Sequence, residues 1–346
     1  MDVQGMPTRR VRARQPRRGW RSVAVVCGTA FLILLVALLA TLLEPVLLDP
    51  TAGYAHRQRL ARVEPQARVR HGSSVVTELR LVTDSGLAVE LAVRMPDGPV
   101  GPRPTVLLLG GRQTGRDAAR LGGDVESVVV AALSYPYTGD PEVPALFRLQ
   151  EMQRALLDTV PAILLATDYL LAQPYVDARR FELIGVSLGA FLVSPAAVLE
   201  PRIRRLWLVH GAGRPATVIE FTLRDEVRLA PLRRMLASFL NVIAGGDHLA
   251  AERWVGRMSP RPVVAINARN DERLPRVSVQ ALHAALRTPS HVIWMDGPHV
   301  RPDRPEVIDT LRTLLLGCVL DDGASAGDAG PCPTASSQAQ VPPRAR

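Results

Sequence analysis

Residues 181–189 read Phe181-Glu182-Leu183-Ile184-Gly185-Val186-Ser187-Leu188-Gly189. An apolar run of strand character ends in a G-x-S-x-G pentapeptide, and helix-forming text follows it. A strand, a sharp turn and a helix in that order lift a serine hydroxyl out of a sheet. Glycine suits positions 185 and 189 because so tight a turn brings backbone to where a Cβ would sit. The N-terminal end of the next helix favours negative charge developing beside Ser187. The pentapeptide alone is common, and its bland reading is a glycine-rich turn with a structural serine, so the flanking chain decides.

Working outward, apolar runs alternate with amphipathic ones. Residues 74–82 and 87–94 alternate apolar and polar around Asp84-Ser85-Gly86, which predicts a β-hairpin. Thr105–Leu109 is a buried strand ending at Gly110-Gly111, a short helix is expected over 112–122, and Val128–Leu133 is another strand. Residues 144–173 predict an amphipathic helix containing Pro161. Beyond the Ser187 turn come a helix to about 199, a strand over 205–210, and a helical segment of mixed polarity over 214–260. A strand over 262–267, a helix over 276–287, a strand over 290–295 and a helix over 304–316 complete the series. Strands alternating with helices predict an α/β fold, a mostly parallel sheet flanked by helices, with the hairpin as its antiparallel edge.

The order of these features over residues 75–317 resembles the α/β-hydrolase fold superfamily. An early strand ends at Gly110-Gly111, Ser187 sits in the elbow, Asp271 follows a later strand, and His299 follows the last one. The text Ala268-Arg-Asn-Asp-Glu-Arg-Leu-Pro275 looks like the family's acid loop. Asp296-Gly-Pro-His299 looks like its histidine loop, with Pro298 where the family often has Gly. The resemblance implies a helical cap at about 214–260 and a domain over 74–320. It also implies Ser187 as nucleophile, His299 as base and Asp271 as the acid that orients the imidazole. Oxyanion donors would be the backbone N–H of Leu188 and those of the Gly111-Arg112 turn. Many relatives carry His-Gly at that turn, where this chain has Gly110-Gly111, which leaves the support of the loop in question.

Alternatives stand beside each assignment. Glu272 is the neighbouring carboxylate to Asp271. His291 reads as a sheet histidine, His248 as a cap or exposed histidine, and His210 as a core histidine at a strand end. The arginines of the cap segment (Arg224, Arg228, Arg233, Arg234) read as a solvated helix face. No zinc-ligand spacing, P-loop or G-x-G-x-x-G fingerprint is present, so neither a cofactor nor a metal is expected. The expected activity is cleavage of esters or thioesters of a small-molecule acyl substrate, with a peptidase or a dienelactone-type lyase as the alternatives on the same fold. The rival is a catalytically silent module of the same fold that binds or scaffolds at a membrane.

The chain has 346 residues, 47% hydrophobic, and a net charge of +9 carried by Arg without any Lys. The charge is uneven. Residues 1–21 hold Arg9, Arg10, Arg12, Arg14, Arg17, Arg18 and Arg21 against Asp2, leaving the remainder nearly balanced. Aromatic residues make up 4%, too few to interleave a basic nucleic-acid face, so no nucleic-acid partner is expected.

The arginines precede 21 uncharged residues, 23–43, long enough at about 1.5 Å per residue to span a bilayer core. Residues 1–22 are therefore a basic cytoplasmic arm, 23–43 a transmembrane anchor, and 44–73 a connector to an exocytoplasmic domain. The alternative is a signal peptide and a secreted domain, although its apolar core would be shorter. Residues 321–346 read as a disordered Ala/Ser/Gly/Pro-rich tail. Cys318 and Cys332 are either a disulfide holding that tail or two free thiols, and Cys27 lies in the apolar run. Oligomeric state is left open.

Overall fold

The structure, a computed structural model, describes residues 18–321 apart from 48, 56–57, 99–100, 112–113, 124–126, 140–141 and 144–147. It opens with helix α1 (Arg18–Leu47) and a 3-10 turn (Pro50–Ala55). Strands β1 (Leu60–His71), β2 (Ser74–Thr83), β3 (Ala88–Pro96) and β4 (Arg103–Leu109) follow. A 3-10 turn (Gly115–Arg120), β5 (Val129–Leu133), α2 (Leu149–Leu171), β6 (Val176–Val186), α3 (Leu188–Leu199) and β7 (Arg205–Val209) come next. Helices α4 (Pro215–Thr222), α5 (Ala230–Ile243), α6 (Gly246–Leu249) and α7 (Ala251–Trp254), with a 3-10 turn at Val255–Met258, fill the cap segment. The chain closes with β8 (Val263–Ala268), α8 (Arg276–Ala285), β9 (Ser290–Met295) and α9 (Pro305–Asp321).

One nine-stranded sheet runs in the order β1-β2-β3-β5-β4-β6-β7-β8-β9. From β5 to β9 its neighbours pair in parallel, and β1, β2 and β3 form the antiparallel edge. The apolar run that opens the sequence argument is the centre of this sheet. Phe181–Gly185 pairs with β4 on one side, and Glu182–Val186 pairs with β7 on the other. A strand buried on both faces reads as a continuous apolar stretch, which is how 183–186 reads, and buried Glu182 before it accepts the Trp207 Nε1 proton at 2.5 Å. Successive side chains go to opposite faces. Leu107, Leu109 and Leu183 pack in the core with Val160 and Ile163 of α2 and Val193 of α3. Val106, Ile184 and Trp207 go the other way, into the core with Val307, Leu311 and Leu314 of α9.

Three expectations shift. The segment taken as a connector holds β1, which pairs with β2 from Leu60↔Thr83 to His71↔Ser74. Its side chains are largely exposed, so it lacks the apolar alternation that marks a strand. Arg62, Arg68, Arg70 and Pro65 suit an edge that must not pair with another chain. Where a helix is expected at 112–122, the described residues form the 3-10 turn Gly115–Arg120. The last helix runs on to Asp321, because Cys318 and Val319 are buried with the α9 core. Residues 1–17, the tail beyond 321 and the Cys318–Cys332 pairing lie outside the described residues.

Helix α1 is long and apolar enough to cross a membrane over Val25–Leu47, with a mean hydropathy of 2.7. Its last turns are docked on the domain. Leu42 and Val46 are buried. Buried Gln153 of α2 donates from Nε2 to Leu42 O at 2.6 Å and to Ile243 O of α5 at 2.7 Å. His248 Nε2 donates to Val46 O at 3.1 Å, satisfying one of the carbonyls a helix end leaves open.

Candidate active site

The β6–α3 turn is strained as the pentapeptide requires. Ser187 has φ 54° and ψ −115°, outside the regions an L-residue adopts freely. It is held there by its N–H donating to Val209 O at 2.9 Å and its carbonyl accepting Ala190 N–H at 3.0 Å. The two glycines are steric necessities. A Cβ at Gly189 would run into the backbone carbonyl of Leu109, and one at Gly185 would lie 2.7 Å from Gly189 O and 2.8 Å from Ala190 Cα.

Ser187 Oγ lies 2.8 Å from His299 Nε2. His299 Nδ1 lies 2.8 Å from Asp271 Oδ2. A carboxylate only accepts, so the Nδ1 proton points at Asp271 and Nε2 is left to accept from the serine hydroxyl. Asp271 Oδ1 accepts the backbone N–H groups of Arg273 at 2.8 Å and Leu274 at 3.0 Å, which fixes the carboxylate from its far side. Burial pushes the Asp271 pKa up, but the hydrogen bond and charge of His299 and the Arg273 N–H outweigh it, and the net shift is downward. The three sequence-predicted residues are thus brought into one hydrogen-bonded chain.

Glu272 does not reach the imidazole. Its Oε2 accepts the backbone N–H of His299 at 2.9 Å, and its Oε1 pairs with Arg304 at 2.7 Å. Arg304 also donates to His299 O at 2.7 Å, so the pair grips the histidine's backbone from both ends. Burial opposes ionisation of Glu272, and the backbone donors and Arg304 overcome it, bringing its pKa to about 2.

The site contains a histidine that the sequence reading assigned to core packing. His210, at the end of β7 with φ 50°, is buried, and its Nδ1 lies 3.6 Å from Asp271 Oδ2. That nitrogen accepts the Val300 N–H at 2.9 Å, so the ring proton sits on Nε2, which donates to Met295 Sδ at 3.5 Å. Burial first, and the neighbouring His299 second, lower its pKa to about 4. The available signal was its position, one residue past a central parallel strand, where side chains reach the carboxyl edge of a sheet. The other two histidines stand elsewhere: His291 lies in β9, and His248 holds the end of α1.

Leu188 is the first residue of α3, so its N–H has no partner inside the helix. Gly111 faces the serine: a Cβ built on it would sit 3.8 Å from Ser187 Cβ. Arg112 lies outside the described residues. The turn has supports other than the missing histidine. Tyr135 Oη donates to Gly110 O at 2.7 Å, and Thr114 donates to Gly111 O from N at 3.1 Å and from Oγ1 at 3.0 Å. Burial raises the Tyr135 pKa far above neutral pH, so the phenol stays a donor.

A cavity of about 520 Å³ opens at Ser187 and His299 and runs along the sheet to α9. His210, Asp271 and His299 offer ligand atoms within 4.8 Å of one another, close enough for a metal ion. Those atoms are already committed: His210 Nδ1 accepts from Val300, and His299 Nδ1 bonds Asp271. The arrangement suits transfer of the Ser187 proton to His299 Nε2, with Asp271 ionised beside the other ring nitrogen.

No protein-family model and no curated protein matches the chain. Solved structures do. Acetyl xylan esterase 1 from Thermoanaerobacterium sp. JW/SL YS485 superposes with a TM-score of 0.53 at 16% identity, over 78% of this chain and 92% of that one. The acetyl xylan esterase from Paenibacillus sp. R4 superposes with a TM-score of 0.55 at 18% identity, over 77% and 91%. At such identities the likeness speaks for the fold. Together with the strand order and the strand-end positions of Ser187, Asp271 and His299, it shows that the chain has the α/β-hydrolase fold.

Proposed function

We propose that the protein is a membrane-anchored serine hydrolase that cleaves ester or thioester bonds of a small-molecule acyl substrate. The observation that carries this reading is the Ser187–His299–Asp271 chain, 2.8 Å at each link, mounted on a strained elbow at the mouth of a cavity. The two similar structures bear the names of esterases, and the reading extends ester chemistry, without their substrate, to this chain.

The geometry suits a two-step acyl transfer. Ser187 Oγ attacks the acyl carbon while His299 Nε2 takes its proton. Asp271 stabilises the resulting imidazolium and holds its orientation. The tetrahedral oxyanion is met by the N–H of Leu188 and those of the Gly111-Arg112 turn, each such donor contributing about 3–4 kcal/mol to the transition state. The bond to the alkoxide or thiolate breaks, and the leaving group takes the proton from His299. Water repeats the sequence on the acyl-enzyme, releasing the carboxylic acid and restoring Ser187.

The anchor reading assigns 1–22 to a cytoplasmic arm, 23–43 to the span, and 74–320, with β1, to an exocytoplasmic domain capped at about 214–260. Seven arginines before the apolar run support that orientation. Helix α5 packs beside α1 and turns an exposed row of Leu232, Met235, Phe239 and Val242 outward, apolar surface of the kind that rests on lipid.

Labelling of the full-length protein with a fluorophosphonate probe tests the reading. Wild type is expected to label, and Ser187→Ala and His299→Ala are not. A folded wild type that fails to label would refute an activated serine. Membrane fractionation before and after an alkaline carbonate wash tests the anchor, since an uncleaved span stays in the pellet.

A further inference from the structure

The deep part of the cavity is built for a hydrocarbon. Leu108, Val130 and Val186 lie on central strands of a nine-stranded sheet, yet each is only half-buried. Their chain neighbours Leu107, Leu109 and Ala131, on the opposite face, are fully buried beneath α2 and α3. The difference has a topological cause. Parallel strands β4 and β5 are joined by a crossover, which ordinarily lays a helix on the sheet. Among the described residues this crossover holds only the 3-10 turn Gly115–Arg120. Among the described residues that part of the sheet is faced by α9 and by the 3-10 turn, whose Ala118 and Ala119 pack near Leu108 and Ala132, and the space left between them is the cavity.

Two independent rulers give its depth. Along β4 the lining runs from Gly110 at the mouth to Val106, about 13 Å at 3.3 Å per residue. Along α9 it runs from Ile308 to Val319, about 16 Å at 1.5 Å per residue. The directions agree. His299 and Pro305, the start of α9, lie near the mouth, whereas Arg180 at the foot of β6 donates to Val319 O at 2.8 Å. Thr114, Arg273 and Arg301 are neighbours in sequence of the turn, acid loop or histidine loop at the mouth, and Arg312 lies one turn along α9 from Ile308, in the outer half. The deep half is lined by Val106, Val130, Ile184, Leu315, Leu316 and Val319, with no hydrogen-bonding side chain among them.

We infer that this channel holds the acyl chain of the substrate, and that the preferred esters carry unbranched acyl groups of medium length. At about 1.25 Å per methylene, set by single bonds near 1.5 Å, the depth accommodates roughly ten to thirteen carbons. The inference rests on the serine-hydrolase reading and adds the substrate class. A chain lying along α9 places its carboxyl carbon at Ser187 Oγ and leaves the alcohol or thiol portion toward the cap, where Thr222 of α4 borders the mouth. Each methylene moved from water into such a lining is expected to raise kcat/KM about two- to fourfold until the foot is reached.

The test is hydrolysis of p-nitrophenyl esters from acetate to palmitate by the full chain in phospholipid nanodiscs, with fluorophosphonate labelling alongside. Wild type is expected to rise from acetate to a maximum at decanoate or dodecanoate and to fall at palmitate. Leu316→Trp, which fills the foot, should lower the decanoate-to-acetate ratio at least tenfold, with fluorophosphonate labelling reporting that the protein is folded. Leu316→Ala should move the optimum to longer chains, and it keeps the proposal falsifiable where the larger side chain prevents folding. A protein that labels but shows a flat profile, or whose profile ignores both variants, overturns the channel assignment and leaves the hydrolase reading standing. A folded protein that neither labels nor turns over any ester overturns both.

Discussion

The imidazoles of His210 and His299 stand edge to face with 5.1 Å between ring centroids, and a single carboxylate oxygen, Asp271 Oδ2, lies 3.6 Å from one and 2.8 Å from the other. Only His299 uses that oxygen as a hydrogen-bond partner. His210 turns its Nδ1 lone pair to the Val300 N–H instead, which fixes the residue that follows His299. In the proposed mechanism His210 is a positioning residue: uncharged, it holds the backbone next to His299.

The neutral state has a consequence for pH. The folded pKa of His210 is about 4 against an ordinary value of 6.5. The unfolded chain therefore takes up a proton below 6.5 while the folded chain does not. Stability from this group is fully present above 6.5 and is lost as the pH falls through that window. The slope reaches about 1.4 kcal/mol per pH unit and the total is about 3 kcal/mol. His210→Asn retains an acceptor without a titrating ring, so its urea midpoint should fall less than that of wild type between neutral pH and about pH 4. Parallel midpoints for the two proteins would refute the assignment.

Adjacent carboxylates divide the work at the acid loop. Asp271 faces the imidazole and Glu272 the backbone of the same histidine. Asp271→Asn should lower kcat by about 10⁴, as removal of the orienting charge does in other triads. Glu272→Gln keeps an oxygen to accept the His299 N–H, and its loss should stay below about tenfold. Equal losses in the two variants would mean that the acid has been misassigned.

Tyr135 replaces a support that the sequence left in question. Its hydroxyl holds the Gly110 carbonyl, next to the Gly111 turn that faces Ser187. Tyr135→Phe leaves that buried carbonyl without its partner, at a cost of about 1–3 kcal/mol in stability. If the bond also aims the oxyanion donors, kcat should drop about tenfold with KM little changed. A variant that loses stability and keeps its kcat would limit the tyrosine to a structural role.

What the sequence disclosed and what it withheld follow from how local each signal is. Residues 181–189 announce the elbow because strand, steric glycines and helix are contiguous, and β4 and β8 are legible as continuous apolar runs for the same reason. Strand β1 is silent because both its faces are wet: its register comes from pairing with β2, a property no window of residues 60–71 contains. Ser187, Asp271 and His299 could be named from order along the chain. His210 and Tyr135 could not, since their roles depend on which strand ends the 90 residues between His210 and Val300, or the 25 between Tyr135 and Gly110, bring together. The cavity lies beside a crossover whose described residues hold a 3-10 turn, whereas 112–122 reads as helical in sequence.

The last turns of α1 belong energetically to the domain. Leu42 and Val46 are buried, and Leu42 O and Val46 O accept from Gln153 of α2 and from His248 of α6. A chain that begins at residue 49 exposes the apolar surface these side chains cover and leaves buried Gln153 without one of its acceptors. Burial of two such side chains and a hydrogen bond to a buried donor together contribute about 3–5 kcal/mol. A chain that begins at residue 41 keeps the contacts and discards most of the apolar run. Thermal unfolding of the two should differ by roughly 5–10 °C in favour of the longer chain, at about 2 °C per kcal/mol for a domain of this size. Equal melting temperatures would mean that the contact adds nothing and that α1 is a tether. The expected difference would mean that α1 holds the cap helices α5 and α6 at a fixed attitude, so that the mouth beside Thr222 has a set orientation to whatever surface α1 enters.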